Sequence, residues 1–321
     1  MIIKKSDISK PLWKGKQKSY EEALVYLNNR RIGKESSLIT PWAKVNDATV
    51  NGLEWNSTTI IAGRPGTGKT LIKDQIIKES FVLNPEENFN VLEFNFEMVG
   101  KSSAIREFSS VTGLTYKQLA SANETLNEYD LKRCYEYAKT RTKYPIHSID
   151  EPLDIEGMAT QLDLYCNANP NKKVVVTLDH TLLVNNGFGH KSKTDMLSDL
   201  ANFFTQSKKH YPILWIVLSQ LNRKAETPER AINGKYGNYI TEDDIFGSDA
   251  MLQHADTLLG INRPAKRQIK YYGPEKYVIQ SPDDLVFHFL KCRTGNTRMS
   301  FFKGLFSQMK VVEMMTPPKK N

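Results

Sequence analysis

A chain of 321 residues is longer than the roughly 100–200 of one ordinary domain, but it suits a single large α/β sheet with short appendages. Hydrophobic residues at 40 % and charged residues at 25 % are close to the globular average, which excludes wholesale disorder and leaves enough apolar mass for a sizeable core. Forty-four basic against 36 acidic residues give a net charge of +8, which suits a polyanionic partner without proving one.

Residues 1–17 carry five lysines and few apolar positions, so a flexible basic N-terminus is expected, with no apolar leader segment. Residues 18–34 follow as a linker-helix segment. Within it 19–31, SYEEALVYLNNRR, sets Ala23, Leu24 and Leu27 on one face, with acids early and arginines late in agreement with the helix dipole. This short amphipathic helix needs something to pack against. From residue 35 to about 310 the pattern is that of one α/β domain, with a flexible tail expected over 311–321. Strands are predicted at 58–62, 90–96, 145–149, 174–178, 213–218, 257–261 and 285–291, and helices at 71–81, 102–111, 128–141, 155–167 and 195–210. Short apolar runs alternating with helical periodicity predict a mostly parallel sheet flanked by helices. The longest apolar run, 213–218, is too short to cross a bilayer. Cys134, Cys166 and Cys292 are odd in number and far apart, supporting neither a disulfide framework nor a cysteine zinc site; a cytoplasmic protein is expected.

Phosphate chemistry is written between the first strand and its helix. The strand TTIIA runs into Gly63, Arg64, Pro65, Gly66, Thr67, Gly68, Lys69 and Thr70, a G-x-x-x-x-G-K-T string in the strand–loop–helix setting it requires. Glycines let successive amides turn inward on phosphate oxygens, and the positive helix end adds to that field. Lys69 would bridge the β- and γ-phosphates and Thr70 would ligand Mg²⁺. Other strand ends must supply the remaining groups. Asp179 closes the strand KVVVTL and would hold Mg²⁺ through water. His180 beside it reads as a packed or hydrogen-bonded histidine, since no second histidine stands at metal-ligand spacing. Glu97 ends the strand near VLEFNFE and could activate the attacking water, with Glu93 the competitor lying farther from the carboxyl end. Gln220 stands just past the apolar run ILWIVLS, where an amide could touch the γ-phosphate. The stretch 223–246 is polar, unpatterned and longer than a compact domain keeps without a use.

Taken together, AGRPGTGKT (62–70), NFEM (95–98), the strand to Asp179, SQLNR (219–223), DIFGSDAMLQHADTLLGINR (244–263) and FHFLKCRTGNT (287–297) make the chain resemble the RecA-type ATPase core of the DnaB family of replicative helicases, most closely its phage and mobile-element members. The resemblance covers about 19–306. It implies a RecA-like P-loop fold, ATP and Mg²⁺ as ligands, a homo-hexameric ring, single-stranded DNA in the channel, and a possible primase or loader as partner. It also implies that Lys291 and Arg293, from the family's K-x-R-x-G segment, reach the ATP of the adjacent subunit, and that the first helix packs on a neighbouring ATPase domain. DNA contacts are implied for the loops after the Asp179 and Gln220 strands, through Lys191, Lys193, Arg223, Lys224, Arg230 and Lys235. The sequence departs from the pattern in reading Asp-His where many members read Asp-Tyr, and about 18 residues precede the first helix where full members carry a helical collar domain. The expected function is a ring-forming ATP-dependent helicase. A RecA- or RadA-like recombination ATPase and a non-unwinding ATPase partner or loader of a helicase ring are the rival readings.

Overall fold

The computed structural model describes residues 13, 15–97, 100–123, 126–181, 184, 192–231, 239–245 and 248–321. In chain order the elements are α1 (Lys16–Arg31), α2 (Ala43–Ala48), β1 (Thr58–Gly63), α3 (Lys69–Leu83), β2 (Phe89–Phe94), α4 (Gly100–Thr112), α5 (Tyr116–Ala120), α6 (Glu128–Arg141), β3 (Ile146–Ile149), α7 (Ile155–Ala168) and β4 (Lys173–Leu178). They continue as α8 (Lys193–His210), β5 (Ile213–Ser219), α9 (Pro228–Ala231), α10 (Ser248–His254), β6 (Thr257–Asn262), β7 (Tyr271–Tyr272), β8 (Tyr277–Val278), β9 (Asp284–Cys292), β10 (Arg298–Leu305) and β11 (Lys310–Glu313). Short 3-10 turns lie at 223–226, 242–244, 264–267 and 306–308.

One sheet of nine strands runs in the order β11-β10-β9-β6-β1-β5-β4-β2-β3. From β3 to β6 the neighbours are parallel, whereas β9, β10 and β11 join antiparallel. The central strands are buried at nearly every position and mostly apolar because both faces are covered. In β5, Ile213, Trp215 and Val217 face α7 and α8, packing with Leu162, Leu200 and Phe204. Leu214, Ile216 and Leu218 point the other way, into the layer that holds Leu71, Ile72 and Ile76 of α3. Each such side chain contributes about 1.5–3 kcal/mol by leaving water. Helix starts are capped as their sequences dictate: Asp154 accepts from Gly157 N at 2.7 Å, Asn127 from Asp130 N at 2.8 Å, and Ser192 forms a capping box with Asp195.

Each predicted strand and helix has a counterpart, its ends shifted by at most three residues. The antiparallel strands β10 and β11 and the short β7–β8 pair have no counterpart among the predicted elements. The expectation of a flexible tail from residue 311 is corrected: β11 pairs with β10 through Val311, Val312 and Glu313, the Trp42 indole donates to Val311 O at 3.0 Å, and Lys320 forms a bridge with Tyr277. A backbone whose amides and apolar side chains are satisfied by the sheet edge has no reason to fray. Among the described residues no helix is long and apolar enough to cross a membrane.

Helix α1 differs from the other long helices. None of its residues is buried, and Tyr20, Leu24, Val25 and Leu27 are each 60 % exposed or more. Its later turns touch the domain: Tyr26 Oη donates to Glu54 at 2.9 Å, and Arg30 to Ser37 Oγ at 3.2 Å and Val50 O at 3.1 Å.

Candidate nucleotide site

The loop after β1 is shaped by its glycines. A Cβ on Gly63 would stand 2.5 Å from Thr67 Oγ1 and 3.0 Å from Ile261 O, so only glycine admits this approach. Gly66 (φ 74°) and Gly68 (φ 96°) take the left-handed conformation that costs other residues strain. Thr67 closes the turn by donating from N (3.3 Å) and Oγ1 (2.8 Å) to Arg64 O. Gly68 then caps α3 with no side-chain acceptor, so the first-turn amides point into the loop as an anion cradle. Lys69 Nζ folds back to donate to Gly63 O at 2.9 Å and Arg64 O at 3.3 Å. Burial lowers this ammonium to about 8; Glu97 opposes the shift and Arg64 adds to it.

Opposite the cradle, Asp179 is 5 % exposed and accepts from Phe96 N at 3.0 Å and Glu97 N at 3.2 Å. Burial raises its carboxyl pKa against these amides and Lys73. Asp179 thereby pins the chain just beyond β2, and Glu97, exposed there, acts electrostatically on both Lys69 and His180. Glu93 is engaged elsewhere: it meets Lys73 Nζ at 3.0 Å, and Lys73 also pairs with Asp74 at 2.9 Å. Burial alone would lower the Lys73 pKa, but the two carboxylates outweigh it and raise it. Gln220 follows β5 with its amide nitrogen 2.7 Å from His180 Nε2. Burial lowers the His180 pKa, which favours the neutral ring, with Glu97 opposing and Lys69 reinforcing. Thr70 sits in the first turn of α3. Met98 of the NFEM string lies outside the described residues.

Sequence reasoning missed what closes the site from the β6 side. Arg263, directly after β6, lies 3.9 Å above the Phe306 ring and is held there by Asp283 (2.8 Å) and Pro282 O (2.7 Å). Phe306 in turn reaches Gly68, where a Cβ would be 3.3 Å from its Cε1, and only a glycine at 304 lets the ring fold back so far. Lys266, in the 264–267 turn, rests against Gly66. A signal was present: INRPAKR follows a strand that ends at the carboxyl edge beside the phosphate loop, the same reasoning that singled out Glu97 and Gln220.

Lys291 and Arg293 lie far from this site. Strand β9 runs antiparallel to β6, with Cys292 opposite Thr257 and Thr257 opposite Thr59, so its end lies level with the start of β1. At about 3.3 Å per residue, Arg293 stands roughly 15–20 Å from Gly63, beyond the reach of an arginine side chain. There Arg293 pairs with Asp256 at 3.2 Å, while Lys291 Nζ donates to Leu252 O and to Gln253 O (3.4 Å) at the end of α10.

The loop cations divide. Arg223 and Lys224 are exposed in the turn after β5, and Lys193 opens α8. Arg230 binds within the loop, its guanidinium donating to Asp244, which is 2 % exposed, and to Tyr239 O at 2.6 Å. Lys191 and Lys235 lie outside the described residues.

The family pattern of the DnaB-like helicase C terminal domain matches residues 39–305, well over half of the chain. The chain belongs to that family. A relative, the probable replicative DNA helicase of Guillardia theta, is 21 % identical over 203 residues, covering 62 % of this chain and 32 % of that protein. The chain thus spans about a third of that curated relative's length. Among solved structures, a DnaB-like replicative helicase described with its interactions with primase superimposes with a TM-score of 0.76 at 17 % identity, over 92 % of this chain and 66 % of that one. A second solved structure, described as an ATPase domain, gives a TM-score of 0.77 at 17 % identity, over 92 % of this chain and 98 % of that one. At such identity these matches show the DnaB-like, RecA-type fold.

Proposed function

We propose that this chain is the ATP-hydrolysing motor of a ring-forming, homo-hexameric DNA helicase that translocates on single-stranded DNA and unwinds duplex in replication, in the cytoplasm. The observation that carries the reading is the division of the site between the two ends of the sheet: cradle, Lys69 and Glu97 at one, Arg293 at the other. A cation so far from its own phosphate loop would, if it acts on ATP, act on a neighbour's, which supports assembly as a condition of turnover.

The residues present fit MgATP. The backbone amides around Gly68 at the start of α3 and Lys69 would hold the β- and γ-phosphates, with Thr70 and Asp179 beside the metal position. Magnesium, when bound, would neutralise charge developing on the phosphates. Glu97 would accept the proton of the attacking water, and Asp179 fixes the backbone that carries it. Gln220, oriented by His180, would report the γ-phosphate. Arg263 and Phe306 form a flat cationic and aromatic pair beside Gly68 that would support the base.

DNA contact is assigned to Lys193, Arg223 and Lys224, with Lys191 and Lys235 as further members. A primase or loader contact joins the proposal because a structural relative is described with primase. The test is ATP hydrolysis with and without single-stranded DNA, strand displacement on a forked duplex, and electron microscopy of the ATP-analogue complex. Closed rings with DNA-stimulated turnover and unwinding are expected; filaments with strand exchange, or rings that never unwind, sink the reading. Charge reversal of Arg223 and Lys224 should weaken DNA binding and reduce its salt slope by roughly 0.7 per cation, with basal turnover retained.

A further inference from the structure

Beyond β6 the chain carries Arg263, Lys266 and Arg267 within five residues, all on the rim of the phosphate loop. Arg263 is already committed to Asp283 and the Phe306 ring. Lys266 has a different destination. A Cβ built on Gly66 would collide with its Nζ and stand 3.4 Å from its Cε, so the ammonium lies on the backbone at the middle of the cradle. Gly66 has to be glycine for its left-handed φ, and its missing Cβ leaves the space that the lysine tip occupies.

The surroundings are positive. Lys69 and Arg64 belong to the loop itself, and Arg64 acts repulsively on both Lys69 and the nearby Arg267. Gathering an added ammonium onto a backbone whose amides point their positive ends into the cradle costs free energy in the empty site and returns it when an anion enters. An exposed lysine with a flexible stem would reach solvent instead if nothing at the loop required it.

We propose that Lys266 is a second phosphate-binding lysine, which the 264–267 turn brings to the Gly66 side of the cradle while Lys69 acts from the Gly63 side. The ligand class is a nucleoside di- or triphosphate, and the assignment rests on the nucleotide site proposed above. Because the interaction is with phosphate charge, Lys266 contributes to holding ATP and ADP and nothing to holding a nucleoside. It also couples the base pocket to the phosphates, since Arg263 and Lys266 share one turn.

The experiment titrates the full chain, with Mg²⁺, against fluorescent mant-ATP, mant-ADP and mant-adenosine at two salt concentrations. Lys266→Ala is expected to weaken both nucleotides roughly 10-fold, the scale of one charge-assisted hydrogen bond, and to leave mant-adenosine unchanged. Lys266→Arg should recover most of the affinity, and Lys132→Ala, a remote surface lysine on α6 with a 76 % exposed side chain, should change nothing. Circular dichroism verifies folding of each variant. Nucleotide affinities within about twofold of wild type for Lys266→Ala overturn the proposal, given the tenfold scale of a charged contact. So does tighter binding, which would make the lysine a plug. Failure of the underlying nucleotide site looks different: wild type would bind neither nucleotide, or Lys69→Ala would bind as wild type does.

Discussion

Lys69 must meet the phosphates as a cation, yet burial has brought it to about 8. In the empty site the protonated form is penalised, and a polyphosphate reverses that preference, so binding above this pH must draw in a proton. Nucleotide affinity is therefore expected to stay level from about pH 6 to 7 and to decline as pH rises through about 8, whereas Lys69→Ala should lose this dependence together with turnover. Equal affinities at both ends of the range would remove Lys69 as the titrating contact. The two carboxylates of the neighbouring strand separate by partner. Glu97→Gln should keep nucleotide binding and lose on the order of 10²-fold in turnover, because an amide preserves shape but accepts no proton. Glu93→Gln should lower unfolding free energy by about 1–3 kcal/mol, since Lys73 keeps Asp74 but loses a charged acceptor in a buried setting. Denaturant curves and steady-state turnover on both variants decide it: a stable Glu93→Gln protein without activity would exchange the two roles.

Among the elements, α1 has the least reason to hold its place alone. A helix of 16 residues with no buried side chain gains little apolar burial from its own domain and is tied to it by polar contacts such as those of Tyr26 and Arg30. The proposed role as an intersubunit linker makes a definite claim. Leu24→Glu with Leu27→Glu should leave the melting temperature of the dilute monomer nearly unchanged, and should shift sedimentation of concentrated protein toward the monomer. A large loss of monomer stability would instead mean that these leucines pack on their own domain. At the other end, β9, β10 and β11 extend the parallel sheet and do two things for the site. They bring Phe306 back onto Gly68, and they carry Arg293 away to the opposite edge.

For the whole molecule, the proposed finger role of Arg293 would make turnover a property of pairs. A Lys69→Ala subunit has a defective cradle and an intact finger, and an Arg293→Ala subunit has the converse. Each alone should be nearly inactive. Mixtures create some interfaces with both parts sound, so partial recovery of ATPase activity is expected, limited by any need for sequential firing. Native mass spectrometry establishes that both subunits share one assembly; absence of recovery in such assemblies counts against a finger acting on the neighbour. Asp256 belongs to the same scale. It binds Arg293, Lys208 and the Thr58 amide, so the cation offered outward is anchored to the start of the central strand.

What the sequence determined by itself was the phosphate loop and the strand ends around it, which depend on contiguous residues. The cradle could be read because strand, glycine turn and helix follow one another without a gap, and because left-handed turns at 66 and 68 require glycine. Glu97, Asp179 and Gln220 could be named because parallel strands place their carboxyl ends together, and the apolar runs marked those ends. Strand direction at the sheet's far side could not be read, since an apolar run such as 285–291 has the same composition whichever way it points. Tertiary structure alone decided that β9 turns back, that Phe306 and Lys266 lie on a loop some 200 residues earlier in the chain, and that Arg230 pairs with Asp244. Those outcomes follow from strand order and from where a buried carboxylate finds its counter-ion, and neither is encoded in local periodicity.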